Sequence, residues 1–308
     1  MKNNTAVLIT YNLTRRYGSA AALDNVTMAV HRGDIYGLVG RNGAGKTTLM
    51  RQVTGQSEPT SGELELFGAS GKALRAQRKR TGAMIEIPSF SPFLTAKENL
   101  EYYRLQRGIP GKNVVDEALE LVDLRDTGKK KFKTFSLGMK QRLGLALALM
   151  NRPDFLILDE PINGLDPEGV AEFRALLRRL NQEQNTTILI SSHILSELSS
   201  IATCYGFMEK GRILEEISAE TLHEKCRTCL RLTVDNASRA AAILETALGA
   251  SQFEVLPGNV IQLYEYLDEP QSVSFALSNG GAAILGMEQK GADLEAYFLD
   301  LIGGGQHA

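Results

Sequence analysis

Residues 40–48 read Gly-Arg-Asn-Gly-Ala-Gly-Lys-Thr-Thr, and their Gly-x-x-x-x-Gly-Lys-Thr spacing suits the wrapping of backbone around a phosphate. Glycines let the chain come close to an anion, while several N–H groups and the positive end of a following helix face it. Lys46 can reach the β- and γ-phosphates of a nucleotide, and Thr47 can place its hydroxyl on Mg²⁺. The candidate contacts are Gly40, Asn42, Gly43, Ala44, Gly45, Lys46, Thr47 and Thr48. The plainer alternative is a glycine-rich turn with a solvated lysine. The flanks argue against it, because IYGLV (35–39) reads as a short apolar strand and TTLMRQVTG (47–55) as a helix closed by Gly55.

A second constellation follows at FLILDEP (155–161), an apolar run ending in two acids and a proline, as expected of a parallel strand buried on both faces. Ligands of open α/β sheets bind beyond the carboxyl ends of the strands, so Asp159 can hold magnesium and Glu160 is the candidate base for an attacking water. Two acids at a strand end are ordinarily solvated loop residues; the phosphate loop in the same chain changes that balance. In NGLDPEG, Asp166 is placed as a helix N-cap with Pro167 at the first helical position. TTILISSH (186–193) reads as another strand, delivering His193 to the same edge.

The elements that must position these residues come from 308 residues of which 43% are hydrophobic and 23% charged, enough for two cores. A formal net charge of −2 argues against a protein built to hold nucleic acid. Three cysteines make no disulfide framework, and the first residues contain no apolar run of signal length, so a cytoplasmic location is expected. The longest apolar run, LGLALALM (143–150), falls far short of the ~20 residues that cross a bilayer. KKKFK (129–133) reads as a solvated face.

FSLGMKQRL (135–143) stands about 90 residues beyond Lys46 and looks like a family signature. Together with the phosphate loop and acidic strand it makes residues 5–225 resemble the ATP-binding subunits of ABC transporters. The resemblance implies an α/β fold with a RecA-like core, an antiparallel β subdomain and a helical subdomain. It also implies that Tyr17 stacks on adenine, although alone Tyr17 reads equally as a core or turn tyrosine. By the same resemblance Lys46 and Thr47 hold phosphates and Mg²⁺, Asp159 is the magnesium acid, Glu160 the catalytic glutamate and His193 the switch histidine. Asn163 to Asp166 then face a partner subunit. SLGMKQRLGLALALM alternates enough to suggest a strand, but its length and the stop at Asn151-Arg152-Pro153 favour a buried helix. Ser136, Gly138 and Met139 then form a second anion-binding helix tip, which in the family lies across the γ-phosphate of the partner. A two-fold dimer, expected to be a homodimer, builds two sites from four half-sites and acts on separate membrane permease subunits, placing the chain at the inner face of the membrane. The permease is met in the family through residues 87–110.

Two positions depart from the common pattern. Leu137 replaces the first signature glycine, so the backbone there cannot be one that needs φ > 0. Glu86 replaces a glutamine; beside Mg²⁺ it would add a metal ligand and negative charge. A glutamate there, followed by IPSFSPFLTAKENL, resembles the subfamily that exports lantibiotics and bacitracin-like peptides. A sensor of a membrane partner, or a soluble ABC ATPase, is the alternative class; the latter type usually carries paired ATPase domains or long coiled coils, which this chain lacks.

The ATPase domain is expected over 5–220 and a linker over 221–229. An accessory domain of β-α-β-β-α-β order, compatible with a ferredoxin-like unit, follows over 230–308 and ends in LEAYFLDLIGG. The family resemblance gives that extension a regulatory or dimer-stabilising role. His223, Cys226 and Cys229 suggest zinc, but no fourth ligand stands near, so they read as reduced thiols and a bystander histidine.

Overall fold

The computed structural model describes residues 5–86, 89–111, 113–291 and 294–303. The chain divides into two compact units, Met1–Ala219 and Glu220–Ala308.

The first unit opens with two long antiparallel strands, β1 (Ala6–Tyr17) and β2 (Ala20–His31), that turn at Gly18. Next come β3 (Ile35–Val39), α1 (Lys46–Thr54), β4 (Ser61–Leu66), α2 (Leu74–Gln77) and β5 (Thr81–Met84). Three helices follow, α3 (Ala96–Gln106), α4 (Val114–Leu121) and α5 (Leu137–Leu149). The unit closes with β6 (Phe155–Leu158), α6 (Pro167–Gln184), β7 (Thr187–Ser192), α7 (Leu195–Leu198), β8 (Cys204–Glu209) and β9 (Arg212–Ser218).

Two sheets form from these strands. A three-stranded antiparallel sheet in the order β2-β1-β4 packs through Leu8, Leu13, Met28 and Val30 into one core with Leu49, Met50 and Val53 of α1. The six-stranded sheet runs β5-β6-β7-β3-β8-β9, parallel except for the last pair. Every residue of β3, β6 and β7 is buried, which explains why these strands read as unbroken apolar runs rather than alternating ones. Tyr36 is buried within β3 and hydrogen-bonds Glu216 at 2.7 Å; burial first, and that carboxylate second, push its hydroxyl well above the usual range.

α5 resolves the helix-or-strand ambiguity of the signature region. Residues 143–150 are all buried, so the helix has no polar stripe to reveal a 3.6-residue period. α3 starts with a capping box in which Thr95 accepts from Glu98 N–H and Glu98 returns a bond to Thr95 N–H. The basic run 129–133 exposes Lys129, Lys130 and Lys133, pairs Lys131 with Glu98 at 3.1 Å and buries Phe132.

Among the described residues a few buried polar atoms go unsatisfied, two of them on one side chain. Gln52 of α1 is 1% exposed, and neither Oε1 nor Nε2 has a hydrogen-bond partner among the described residues. A buried amide without partners destabilises the fold, so Gln52→Leu is expected to stabilise the ATPase unit by about 1 kcal/mol and raise its melting temperature by roughly 2–4 °C. A thermal melt showing no rise would contradict this.

The second unit contains α8 (Ala219–Lys225, reaching it across the boundary), β10 (Cys229–Val234), α9 (Ala237–Leu248), β11 (Phe253–Leu256), β12 (Val260–Leu263), α10 (Pro270–Asn279), β13 (Ile284–Lys290) and α11 (Leu294–Ile302). Its antiparallel sheet has the order β11-β12-β10-β13, the split β-α-β arrangement of ferredoxin-like folds. Leu230, Leu232 and Val234, alternating along β10, face Leu244, Val273 and Leu277 of α9 and α10. The segment expected as a linker is largely helical, α8. β12 ends at Leu263, and Tyr266 just beyond it has φ 58°. Neither Cys226 nor Cys229 forms a disulfide among the described residues.

Candidate nucleotide-binding site

The spatial order of the strands assembles the site. β3 lies next to β7, with Val39 opposite Ser192, and β7 lies next to β6, with Ile190 opposite Leu158. The loop after β3, the histidine after β7 and the acids after β6 therefore leave neighbouring strands at one carboxyl edge.

The phosphate loop is shaped by glycines in two ways. Gly43 and Gly45 have φ of 82° and 114°, a region that L side chains avoid. A Cβ on Gly45 would also stand 2.6 Å from the Ala22 carbonyl, and one on Gly40 would collide with the Met208 carbonyl. Asn42 and Ala44 lie between these glycines, and Gly40 N–H is tied to the Ser192 carbonyl at 3.2 Å. Gly45 caps α1 without a side chain, so the N–H groups of the first turn, including Lys46, Thr47 and Thr48, point toward the loop with no partner from the helix itself.

Lys46 is 5% exposed and its ammonium donates to the Gly40 carbonyl at 2.6 Å and the Arg41 carbonyl at 3.3 Å. It also stands 3.0 Å from Glu160 Oε1, while Glu160 Oε2 lies 2.6 Å from His193 Nδ1. Thr47 Oγ1 donates to Asp159 Oδ2 at 2.7 Å. The structure thus brings Lys46, Thr47, Asp159, Glu160 and His193 together.

Sequence reasoning missed Ser191. Its hydroxyl is fully buried, donates to Asp159 Oδ1 at 2.7 Å and accepts from Glu160 N–H at 2.9 Å. It orients one carboxylate and supports Glu160 at φ 47°, a left-handed conformation that a glutamate adopts at some cost. The only hint in sequence is two serines ahead of His193, a weak signal because serine is common in strand ends and turns.

A family model described as "ABC transporter" matches residues 23–163. The chain is 41% identical over 302 residues to the bacitracin transport ATP-binding protein of Bacillus licheniformis, covering 98% of this chain and 99% of that one. The chain belongs to the ATP-binding subunits of ABC transporters. A lantibiotic transport ATP-binding protein of Streptococcus pyogenes is 41% identical over 205 residues, 67% of this chain and 88% of that one. Among solved structures, a protein from Clostridium perfringens described as part of an ABC transporter complex aligns at TM-score 0.64 and 25% identity over 72% of this chain and 92% of that one. A dimeric ATP-binding cassette bound to ADP and phosphate aligns at TM-score 0.61 and 24% identity over 69% of this chain and 98% of that one, showing the shared fold.

As an ABC ATPase this chain binds and hydrolyses ATP. A buried carboxylate beside a threonine hydroxyl, at Asp159 and Thr47, is an all-oxygen donor set of the kind Mg²⁺ takes. Tyr17 ends β1 with its ring 49% exposed and the Arg15 guanidinium 4.6 Å from its centroid, leaving aromatic surface open. Ser136 caps α5 by accepting from Met139 N–H at 3.3 Å, and Leu137 takes the first helical position, where no positive φ is required. Leu137 instead packs toward Gly164, where an added Cβ would stand 3.0 Å from its Cδ2. Ser136, Gly138, Met139 and Asp166 line a cavity of about 510 Å³ that includes no phosphate-loop residue. The starts of α1 and α5 in one chain therefore line separate places.

Glu86 has a partner of its own on α1. Its side chain is 66% exposed and its carboxylate is paired with Arg51 at 2.5 Å, not with the Thr47 and Asp159 oxygens. The physical reason is proximity to a full opposite charge on the second turn of α1. Ile87 and Pro88, with which the expected permease-facing stretch begins, lie outside the described residues, as does Gly304, the last residue of the C-terminal motif. No helix among the described residues is long and apolar enough to cross a membrane.

Proposed function

We propose that this ABC ATPase pairs with a second copy of itself around two molecules of ATP and drives separate membrane permease subunits that export a bacitracin- or lantibiotic-like peptide. The observation that carries the cargo class is the 41% identity to a bacitracin transport ATP-binding protein over 98% of the chain, C-terminal unit included. On this reading the chain works at the cytoplasmic face of the membrane, residues 5–220 form the motor and residues 230–308 an accessory unit.

In the mechanism, Lys46 turns from the loop carbonyls to the outer phosphates, and the N–H groups of residues 42–48 hold the phosphate chain. Mg²⁺, held by Thr47 and Asp159, would supply charge neutralisation at the phosphates. Glu160 takes a proton from the attacking water as the new P–O bond forms and the bond to the ADP oxygen breaks. His193 contacts the γ-phosphate and keeps Glu160 oriented. Tyr17 stacks on adenine. Ser136, Gly138 and Met139 of the partner copy close the site, because in a single chain that helix tip lines a different cavity. Loss of the bridging phosphate lets the copies part.

The test is co-expression with a permease encoded beside this chain in a peptide-sensitive host. The expected result is a several-fold rise in the bacitracin concentration tolerated, abolished by Glu160→Gln. An active ATPase assembled with its permease that changed tolerance to neither bacitracin nor a lantibiotic would overturn the cargo assignment.

A further inference from the structure

The ion pair between Arg51 and Glu86 joins two parts of the site that the sequence keeps 35 residues apart. α1 carries Thr47 in its first turn and Arg51 one turn later. β5 runs beside β6, and the Met84 carbonyl accepts the N–H of Asp159 at 2.9 Å. Glu86 therefore leaves the sheet two residues beyond the strand neighbour of the metal-side acid. It does so at φ 60°, a left-handed backbone that costs a glutamate stability and so requires a local hold. Arg51 Nη2 provides one, donating to Glu86 Oε1 at 2.5 Å.

The charges explain why a hold is useful. Asp159 and Glu160 already put two carboxylates at this edge, against the buried Lys46. A third unpaired carboxylate would raise the negative potential where phosphates must enter. The pair is also easily released: the side chains are 38% and 66% exposed, and an exposed ion pair is weak enough to yield to a divalent cation.

We propose that Arg51 is a positioning residue that holds Glu86 against α1 in the nucleotide-free chain and surrenders it to the Thr47–Asp159 edge when Mg²⁺ and nucleotide bind. The exchange links the occupied phosphate loop to the chain that continues past Glu86. It rests on the MgATP reading of the site given above.

The test is a Mg²⁺ titration of fluorescent ATP-analogue binding to the full chain and to Arg51→Gln, Glu86→Gln and the double variant. Both side chains are at the surface, so thermal melts of the variants should stay within a few degrees of the parent. Arg51→Gln frees the carboxylate and is expected to lower the Mg²⁺ concentration at half-saturation roughly two- to fivefold. Glu86→Gln is expected to raise it, and the double variant to match Glu86→Gln alone. Arg51→Lys, which keeps the charge, should stay near the parent. Equal shifts from Arg51→Gln in both backgrounds, or no shift in either, would overturn the proposal while leaving the site intact. A parent chain that binds no nucleotide in the presence of Mg²⁺ would instead overturn the reading of the site on which the proposal depends.

Discussion

Glu160→Gln is expected to reduce steady-state ATP hydrolysis at least ~100-fold while nucleotide binding stays near the parent value, the loss characteristic of removing a general base. The substitution preserves shape. A glutamine oxygen can still accept from Lys46, now 3.0 Å from Oε1, and its amide can donate to His193, now 2.6 Å from Oε2, if that ring nitrogen is unprotonated. The Ser191 bond to the backbone N–H at 160 is untouched, so the left-handed backbone there persists. What disappears is the capacity to take a proton from water. ATP should then be bound without turnover, and the protein should accumulate as a dimer, visible by size-exclusion chromatography with light scattering in MgATP. Turnover within a few-fold of the parent would remove Glu160 from the role of base.

Lys46→Ala acts at an earlier step. The ammonium is 5% exposed and held by two loop carbonyls, so it is pre-positioned in the loop before any phosphate arrives. Charge-assisted hydrogen bonds of this kind are worth ~1.5–3 kcal/mol, so the affinity for ATP is expected to fall roughly 10- to 100-fold. Hydrolysis should fall with it, and no ATP-dependent dimer should form. Titration with a fluorescent ATP analogue measures the effect directly. The two substitutions are thus expected to separate: one protein that binds and cannot turn over, and another that barely binds. An unchanged dissociation constant for Lys46→Ala would mean that backbone N–H groups alone hold the phosphates.

Much of the site was legible because its chemistry is local in sequence. A phosphate loop needs glycine at positions where backbone conformation or neighbouring carbonyls exclude a side chain, and Gly40, Gly43 and Gly45 meet that need in one continuous stretch. The helix starts at Ser136 and Asp166 were legible for the same reason, since an N-cap bonds a backbone N–H only three residues ahead. The antiparallel strands of the first unit were harder to delimit. Bulges interrupt the register of β1 with β2, and with them the two-residue alternation that marks a strand. α5, buried without a break from Leu143 onward, carried no helical stripe there, so only its length and its stop spoke for a helix.

The residue types and their spacing by themselves determined that this chain handles a nucleotide and supplied Lys46, Thr47, Asp159, Glu160 and His193 as the residues to watch. Tertiary structure alone decided that β7 lies between β6 and β3, which is what sets Glu160 between Lys46 and His193. It also decided that Ser191 braces both acids and that Arg51 holds Glu86. The physical reason is that glycine conformations and helix caps act over a few residues, whereas strand order and ion pairing depend on which segments the core brings together from far apart in the chain.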